Sequence, residues 1–147
     1  VYAEGNSAMW GGGLFVDAPP VTVLDSALVA NRADVAGGGA SADDLAGVWL
    51  GRVVFDGVEL RDNVAPSGAG VDVYETELVL DGGAVEGNVA DAGGGVYLWP
   101  GSSLTVTASD FGDGATDNAP DDVWTTIGYG GYGAGASFTC DVACTGP

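Results

Sequence analysis

One asparagine recurs along the chain at a nearly constant interval, and a glycine cluster follows it within seven residues in four of five cases. The asparagines are Asn6, Asn31, Asn63, Asn88 and Asn118, spaced by 25, 32, 25 and 30 residues. The clusters are Gly11-Gly12-Gly13, Gly37-Gly38-Gly39, Gly68-Ala69-Gly70 and Gly93-Gly94-Gly95. An asparagine and a glycine-rich turn that recur at the same position of each period indicate a repeat protein.

Apolar residues hold the same register within each period. An apolar residue stands three before Asn31, Asn63 and Asn88, and Phe111 takes the same place in the last period, where an insertion separates it from Asn118. The fifth and the seventh residue before each of these four are apolar as well. These columns are Leu28, Leu60, Val85 and Phe111; Val23, Phe55, Leu80 and Val106; and Val21, Val53, Leu78 and Leu104. A second alternating stretch follows each glycine cluster, as in Val71-Asp72-Val73. The two-residue alternation predicts short strands with one buried face.

The repeat predicts an all-β fold, a right-handed parallel β-helix or solenoid of about five short rungs. Because equivalent residues recur once per period, parallel strands would place each residue beside its counterpart in the next period. Antiparallel hairpins would instead pair unlike residues. We expect residues 1–122 to form the rungs and residues 123–147, which include both cysteines, to form a C-terminal cap. The asparagines should form a ladder of amide hydrogen bonds along the stack.

Charge restricts the partners. Asp and Glu number 21 against three arginines, and the net charge is -18. A polyanion without lysine or histidine should avoid nucleic acid and anionic lipid. The 46% hydrophobic content argues against disorder. The chain has no apolar run of about 18 residues, so we expect a mature or excised segment that does not insert in a membrane.

The two cysteines are close in sequence. Cys140 and Cys144 stand near the end of the chain, without a histidine or further cysteine that could complete a zinc set. This spacing predicts a small disulfide, with free thiols as the alternative, and a disulfide favours an extracellular setting.

The repeat motif resembles that of a known group of secreted proteins. A hydrophobic-x-x-Asn box followed by Gly-Gly-x-hydrophobic occurs in Leu28 to Asn31 with Gly38-Gly39-Ala40, and in Val85 to Asn88 with Gly94-Gly95-Val96. It resembles the repeat of polymorphic outer-membrane proteins and related secreted β-helix proteins, although Leu or Val replaces the usual Phe. The resemblance implies an extracellular or cell-surface scaffold or adhesin.

An acidic loop is a candidate calcium site. Six side chains that carry oxygen occupy 13 residues between glycines and a proline, enough for a cation that takes six to eight oxygens. They are Asp110, Asp113, Asp117, Asn118, Asp121 and Asp122. Their spacing is not that of an EF-hand, and the same composition is typical of ordinary turns.

A row of aromatic and acidic residues is a candidate glycan site. Tyr74, Glu75 and Trp99 occupy equivalent positions after the second strand, and we expect a six-residue insertion there that carries Asp43, Asp44 and Trp49. Sugar rings pack on aromatic faces while their hydroxyls bind carboxylates. The alternative is that these turns only pack on one another.

The sequence predicts a non-catalytic chain. Lysine and histidine are absent, and no nucleophile motif, phosphate loop or zinc signature occurs. We expect an extracellular structural or adhesive scaffold that self-associates end to end into a filament or continues into further rungs at its N-terminal end. The alternative is a glycan-binding or polysaccharide-processing module.

Overall fold

The computed structural model describes residues 1–17, 19–44, 51–126 and 136–141. Within these ranges the chain forms β-strands and one 3-10 turn, Gly114–Thr116. The strands are β1 Tyr2–Glu4, β2 Ser7–Trp10, β3 Leu14–Asp17, β4 Val21–Leu24, β5 Ala27–Val29, β6 Arg32–Ala36, β7 Ala40–Asp43, β8 Arg52–Arg61, β9 Val71–Tyr74, β10 Glu77–Glu86, β11 Val96–Leu98, β12 Ser103–Thr107, β13 Val123–Thr125 and β14 Ser137–Cys140. No helix of the described part is long and apolar enough to cross a membrane.

All pairings between these strands are parallel, so the prediction of an all-β fold with parallel strands is confirmed. A seven-stranded sheet has the order β1-β5-β8-β10-β12-β14, and β4 also pairs with β8. A five-stranded sheet has the order β13-β11-β9-β7-β3, and β2 pairs with β6. Neighbouring strands in each sheet therefore come from successive periods of the sequence.

The strand register confirms the predicted apolar columns. In the pairing of β10 with β8, Leu80 lies opposite Phe55 and Val85 lies opposite Leu60. Leu60 in turn lies opposite Leu28. These side chains belong to one buried core formed by the inward faces of the seven-stranded and five-stranded sheets. Burial of large aliphatic groups in such columns supplies most of the driving force for stacking the periods.

The asparagine ladder is also confirmed. Asn63 Nδ2 donates to Asn88 Oδ1 at 2.9 Å and to the Leu28 carbonyl at 2.9 Å. Asn88 Nδ2 donates to Asn118 Oδ1 at 2.9 Å. Each amide oxygen also accepts the backbone N–H of the asparagine in the preceding layer, as in Asn31 N to Asn63 Oδ1 at 2.9 Å. The ladder therefore provides hydrogen-bond partners for buried backbone groups at one corner of every layer.

Glycine at the next corner allows two layers to touch through their backbones. A Cβ placed on Gly38 would lie 2.7 Å from the Ala69 carbonyl oxygen and 2.8 Å from the Val64 nitrogen. Both atoms belong to the backbone of the following layer, which cannot turn aside as a flexible side chain can. This close approach explains the glycine at position 38.

The alternation of apolar residues does not predict the strands β2 and β6. β2 and β6 lie between the asparagine and the glycine cluster, and isolated bridges extend this row through Val64 and Val89. Their composition, Ser-Ala-Met-Trp in β2 and Arg-Ala-Asp-Val-Ala in β6, lacks regular alternation. Burial is small on this side, where the core is a cluster of Ala33, Ala65 and Ala69.

The assignment of Asp43 and Asp44 to an insertion was wrong. Asp43 is the last residue of β7 and lies opposite both Asp17 and Tyr74. Asp44 continues the layer, because its N–H donates to the Tyr74 carbonyl at 3.1 Å. The register then resumes with Arg52 opposite Glu77, so the six residues without a counterpart are 45–50. Trp49 lies among them, outside the described residues.

The predicted cap is described only in part. β13 pairs with β11 and β14 pairs with β12, so both strands continue sheets that begin before residue 122. Residues 127–135 and 142–147 lie outside the described residues. The boundary at residue 122 and the disulfide between Cys140 and Cys144 therefore stay predictions.

Candidate functional site

A groove lined by aromatic rings and carboxylates lies on the outer surface between the two-stranded and the five-stranded sheet. Its cavity volume is about 430 Å³, within the range of about 300–1,000 Å³ in which small-ligand sites fall. The lining residues are Trp10, Phe15, Val35, Ala36, Asp43, Ser67, Asp72, Tyr74 and Trp99.

Strand alternation determines which side chains face this groove. In β9, Val71 and Val73 belong to the core, so Asp72 and Tyr74 point to the opposite face of the sheet. The parallel register aligns the same outward positions of β3, β7 and β9 in two rows. The rows are Phe15, Ser41 and Asp72, and next to them Asp17, Asp43 and Tyr74. Side chains distant in sequence therefore share one surface because the strands are stacked in register.

Trp99 connects the aromatic and the acidic parts of the groove. Its ring packs edge to face against Tyr74, with centroids 6.1 Å apart, and against Tyr97, with centroids 5.1 Å apart. Its indole Nε1 donates to Asp72 Oδ1 at 3.1 Å and to Oδ2 at 3.2 Å. The rings are therefore held in place by stacking and by a charge-assisted hydrogen bond.

Burial changes the acidity of two carboxyl groups in the groove. Asp72 is 4% exposed, and this burial raises its pKa to about 7 although the hydrogen bond from Trp99 lowers it. The negative charge of Asp43 raises the pKa of Asp72 further. Burial also raises the pKa of Asp43, which is 8% exposed and accepts a hydrogen bond from Ser41. Both groups are costly to ionise because little water reaches them.

The raised pKa of Asp72 predicts that the free energy of unfolding decreases as the pH rises. The folded pKa of Asp72 lies above the value of about 3.9 for an unfolded aspartate, so the folded state binds this proton more tightly. The contribution is complete below about pH 4 and is lost as the pH rises to about 7, with a total change on the order of 4 kcal/mol. We expect Asp72→Asn to remove this decline in denaturant titrations across that range.

Asp56→Asn is the control for this experiment, because Asp56 is an exposed aspartate on β8. It removes one negative charge without changing the groove. If it flattened the pH dependence as much as Asp72→Asn does, overall charge and not the burial of Asp72 would explain the decline.

The structure brings together part of the predicted glycan site. Tyr74 and Trp99 both line the groove. Glu75 does not line it, but its negative charge raises the pKa of the neighbouring Tyr74 hydroxyl. Trp49 lies outside the described residues.

The sequence did not point to Trp10, Phe15 and Asp72, and it placed Asp43 near this site only as part of an insertion. Asp72 and Phe15 had a detectable signal, because each occupies the outward position between two aliphatic residues of a strand. No signal in the sequence placed Trp10, since its strand was not recognised.

The acidic loop does not gather its carboxylates around one point. Asp110 Oδ1 accepts the Gly112 N–H at 2.9 Å, and Asp117 Oδ1 accepts the Asn118 N–H at 3.1 Å. Asp122 Oδ1 accepts from Asn118 Nδ2, which belongs to the ladder. Across the described ranges no three acidic, histidine or cysteine side chains are close enough to hold a metal. The calcium site, which also included Asp113 and Asp121, stays a prediction without support from the fold.

No arginine lines the groove among the residues described. Arg32 pairs with Asp34, Arg52 with Glu77, and Arg61 with Glu59 and Glu86. The positive charges of the chain are thus used elsewhere, and the carboxylates of the groove have no cationic neighbour within the described structure.

No protein-family model, curated protein or solved structure matches this chain. The likeness to polymorphic outer-membrane proteins therefore depends on the repeat motif alone and stays a prediction.

Proposed function

We propose that this chain is a right-handed parallel β-helix that acts as a structural or adhesive scaffold at the cell surface or outside the cell, without catalytic activity. Three features support the proposal. All strand pairings are parallel, equivalent apolar residues lie opposite one another, and the asparagines form a continuous ladder. The acidic surface is compatible with an extracellular setting and disfavours nucleic acid as a partner.

The observation that carries the scaffold proposal is the open edge at the N-terminal end. Within the described residues, β1, β2, β3 and β4 each pair on one side only. Unpaired strand edges are templates for pairing with another chain. Several large apolar side chains are exposed on these strands or beside them. They are Val1, Tyr2, Met9, Trp10, Phe15 and Leu24.

A second copy of the same chain, or further rungs of the same β-helix, can pair with this edge. β13 and β14, at the opposite end, also pair on one side only in the described structure. The two ends carry continuations of the same parallel sheets, so one copy can extend the sheets of the next. Such a head-to-tail contact does not close on itself and produces a filament.

Charge opposes this association, since each copy carries a net charge of -18. Salt screens repulsion between exposed charges over about 10 Å at 0.1 M ionic strength. We therefore expect the weight-average sedimentation coefficient to rise with both protein and salt concentration. Met9→Glu should weaken association by roughly tenfold or more, because it adds a negative charge to the open edge.

Val89→Glu is the matched control. Val89 is 50% exposed and Met9 is 56% exposed, so both substitutions add one charge at an accessible apolar residue. Val89 forms bridges on both of its sides, whereas β2 has an unpaired edge. Equal effects of the two substitutions, or a monomer at every concentration and salt level, would contradict association through this edge.

Glycan binding is a second candidate function, which the groove favours. It places the rings of Trp10, Phe15, Tyr74 and Trp99 around two carboxylates. Aromatic faces pack on the C–H groups of sugars, and carboxylates accept their hydroxyl hydrogens. A glycan array with the wild-type chain and Trp99→Ala tests this function, and loss of a signal in the variant supports it.

A further inference from the structure

The described residues that line the groove offer negative charge and aromatic faces but no positive charge. Asp43 and Asp72 line it together, and both are more than nine-tenths buried. Asp43 Oδ1 accepts from the Ser41 hydroxyl at 3.0 Å, whereas Oδ2 has no donor among the described residues. This second oxygen of Asp43 is open to the groove, so a ligand there can donate a hydrogen bond to it.

We propose that the groove binds glycans that carry a protonated amino group, such as oligomers of glucosamine. This proposal depends on the groove being a glycan site, the second candidate function above. The ammonium group donates to the carboxylate of Asp43, and the sugar ring packs on the exposed aromatic faces of Trp10 and Phe15.

Charge complementarity excludes acidic glycans and ranks the remaining ones. A uronic acid would place its carboxylate beside Asp43 and Asp72 on a chain with a net charge of -18. A neutral sugar can donate hydroxyl hydrogens to the same oxygens but does not compensate their charge. An ammonium does both, and cations are also attracted to aromatic faces. The expected order of affinity is therefore amino, then neutral, then acidic.

The test uses isothermal titration calorimetry near neutral pH with three trisaccharides: the glucosamine trimer, its N-acetylated form and a trimer of galacturonic acid. We expect the amino trimer to bind about 10- to 100-fold more tightly than the N-acetylated trimer, the difference that a hydrogen-bonded charge provides. Binding of the galacturonic acid trimer should not be detected.

Variants separate the groove from general attraction to an acidic protein. Asp43→Asn and Trp10→Ala should each weaken binding of the amino trimer by about tenfold or more. Asp56→Asn and Tyr2→Ala are the matched controls, because they alter an exposed aspartate and an exposed aromatic residue outside the groove. These controls should bind as the wild type does.

The outcomes distinguish the two proposals. Equal binding of the amino and N-acetylated trimers, with loss in Trp10→Ala, would overturn the amino-group inference and leave a glycan site. Binding that Asp56→Asn weakens as much as Asp43→Asn would overturn it as well, since attraction would then be non-specific. No binding of any trimer would overturn both the inference and the glycan function.

Discussion

Asn63→Ala should destabilise the fold by roughly 3–5 kcal/mol, since several buried groups lose their partners together. Asn63 is fully buried. Its Oδ1 accepts from the Asn31 N–H at 2.9 Å and from Asn31 Nδ2 at 3.2 Å, and its Nδ2 donates to the Leu28 carbonyl and to Asn88. Alanine fills neither role. The free energy of unfolding in urea titrations measures this loss.

Asn6→Ala is the control because Asn6 stands at the open end of the same ladder. Its side chain is exposed and donates a single hydrogen bond, to Asn31 Oδ1 at 3.0 Å. Asn31 Oδ1 also accepts the Asn6 backbone N–H, which the substitution leaves in place. We expect a loss below about 1 kcal/mol. Similar losses at Asn6 and Asn63 would mean that the ladder does not stabilise the stack.

Gly38→Ala should cost about 3 kcal/mol, because the added methyl group has no space between two layers. Its Cβ would lie within 2.8 Å of backbone atoms of Val64 and Ala69. Either the layers separate, which weakens the hydrogen bond from the Gly39 N–H to the Ala69 carbonyl, or the corner distorts. Denaturant titration together with amide hydrogen exchange near Gly38 measures both effects.

Gly5→Ala provides the comparison for this substitution. Gly5 has a φ of +66°, so alanine is strained there, but no atom lies within 4 Å of the added Cβ. The expected cost is about 1 kcal/mol, from backbone strain alone. Equal losses at Gly5 and Gly38 would show that close approach of the layers does not determine the glycine at this corner.

The sequence was sufficient to predict the columns of the core. Three successive periods place a large apolar residue three positions before the asparagine, and Phe111 continues this column ahead of an insertion, so parallel stacking is the arrangement that buries all of them. Six residues of one period, 45–50, have no counterpart in the next period and precede β8. From β8 onward the register is restored, and Val53 again lies opposite Leu78. This regularity explains why the positions of Leu28, Phe55 and Val85 could be derived before the structure was known.

The groove could not be predicted to the same extent. Its walls combine Trp10 and Phe15 of the first layer with Tyr74 and Trp99 of later layers, and local sequence does not show which outward side chains meet across a corner. The strand that carries Trp10 buries little surface, so it left no periodic signal. The pKa of Asp72 depends on its burial, which only the packed structure reveals.

The asparagine ladder permits a direct test of parallel stacking by NMR spectroscopy. The chain contains five asparagines and no glutamine, so its side-chain amide region contains only five NH₂ groups. Each ladder amide donates to the next, as Asn31 Nδ2 does to Asn63 Oδ1 at 3.2 Å and Asn88 Nδ2 to Asn118 Oδ1 at 2.9 Å. We expect nuclear Overhauser contacts that connect the five groups in the order Asn6, Asn31, Asn63, Asn88 and Asn118, with slow hydrogen exchange at the buried members. Contacts in another order, or five amides that exchange rapidly and show no contacts with one another, would contradict the stacked parallel fold.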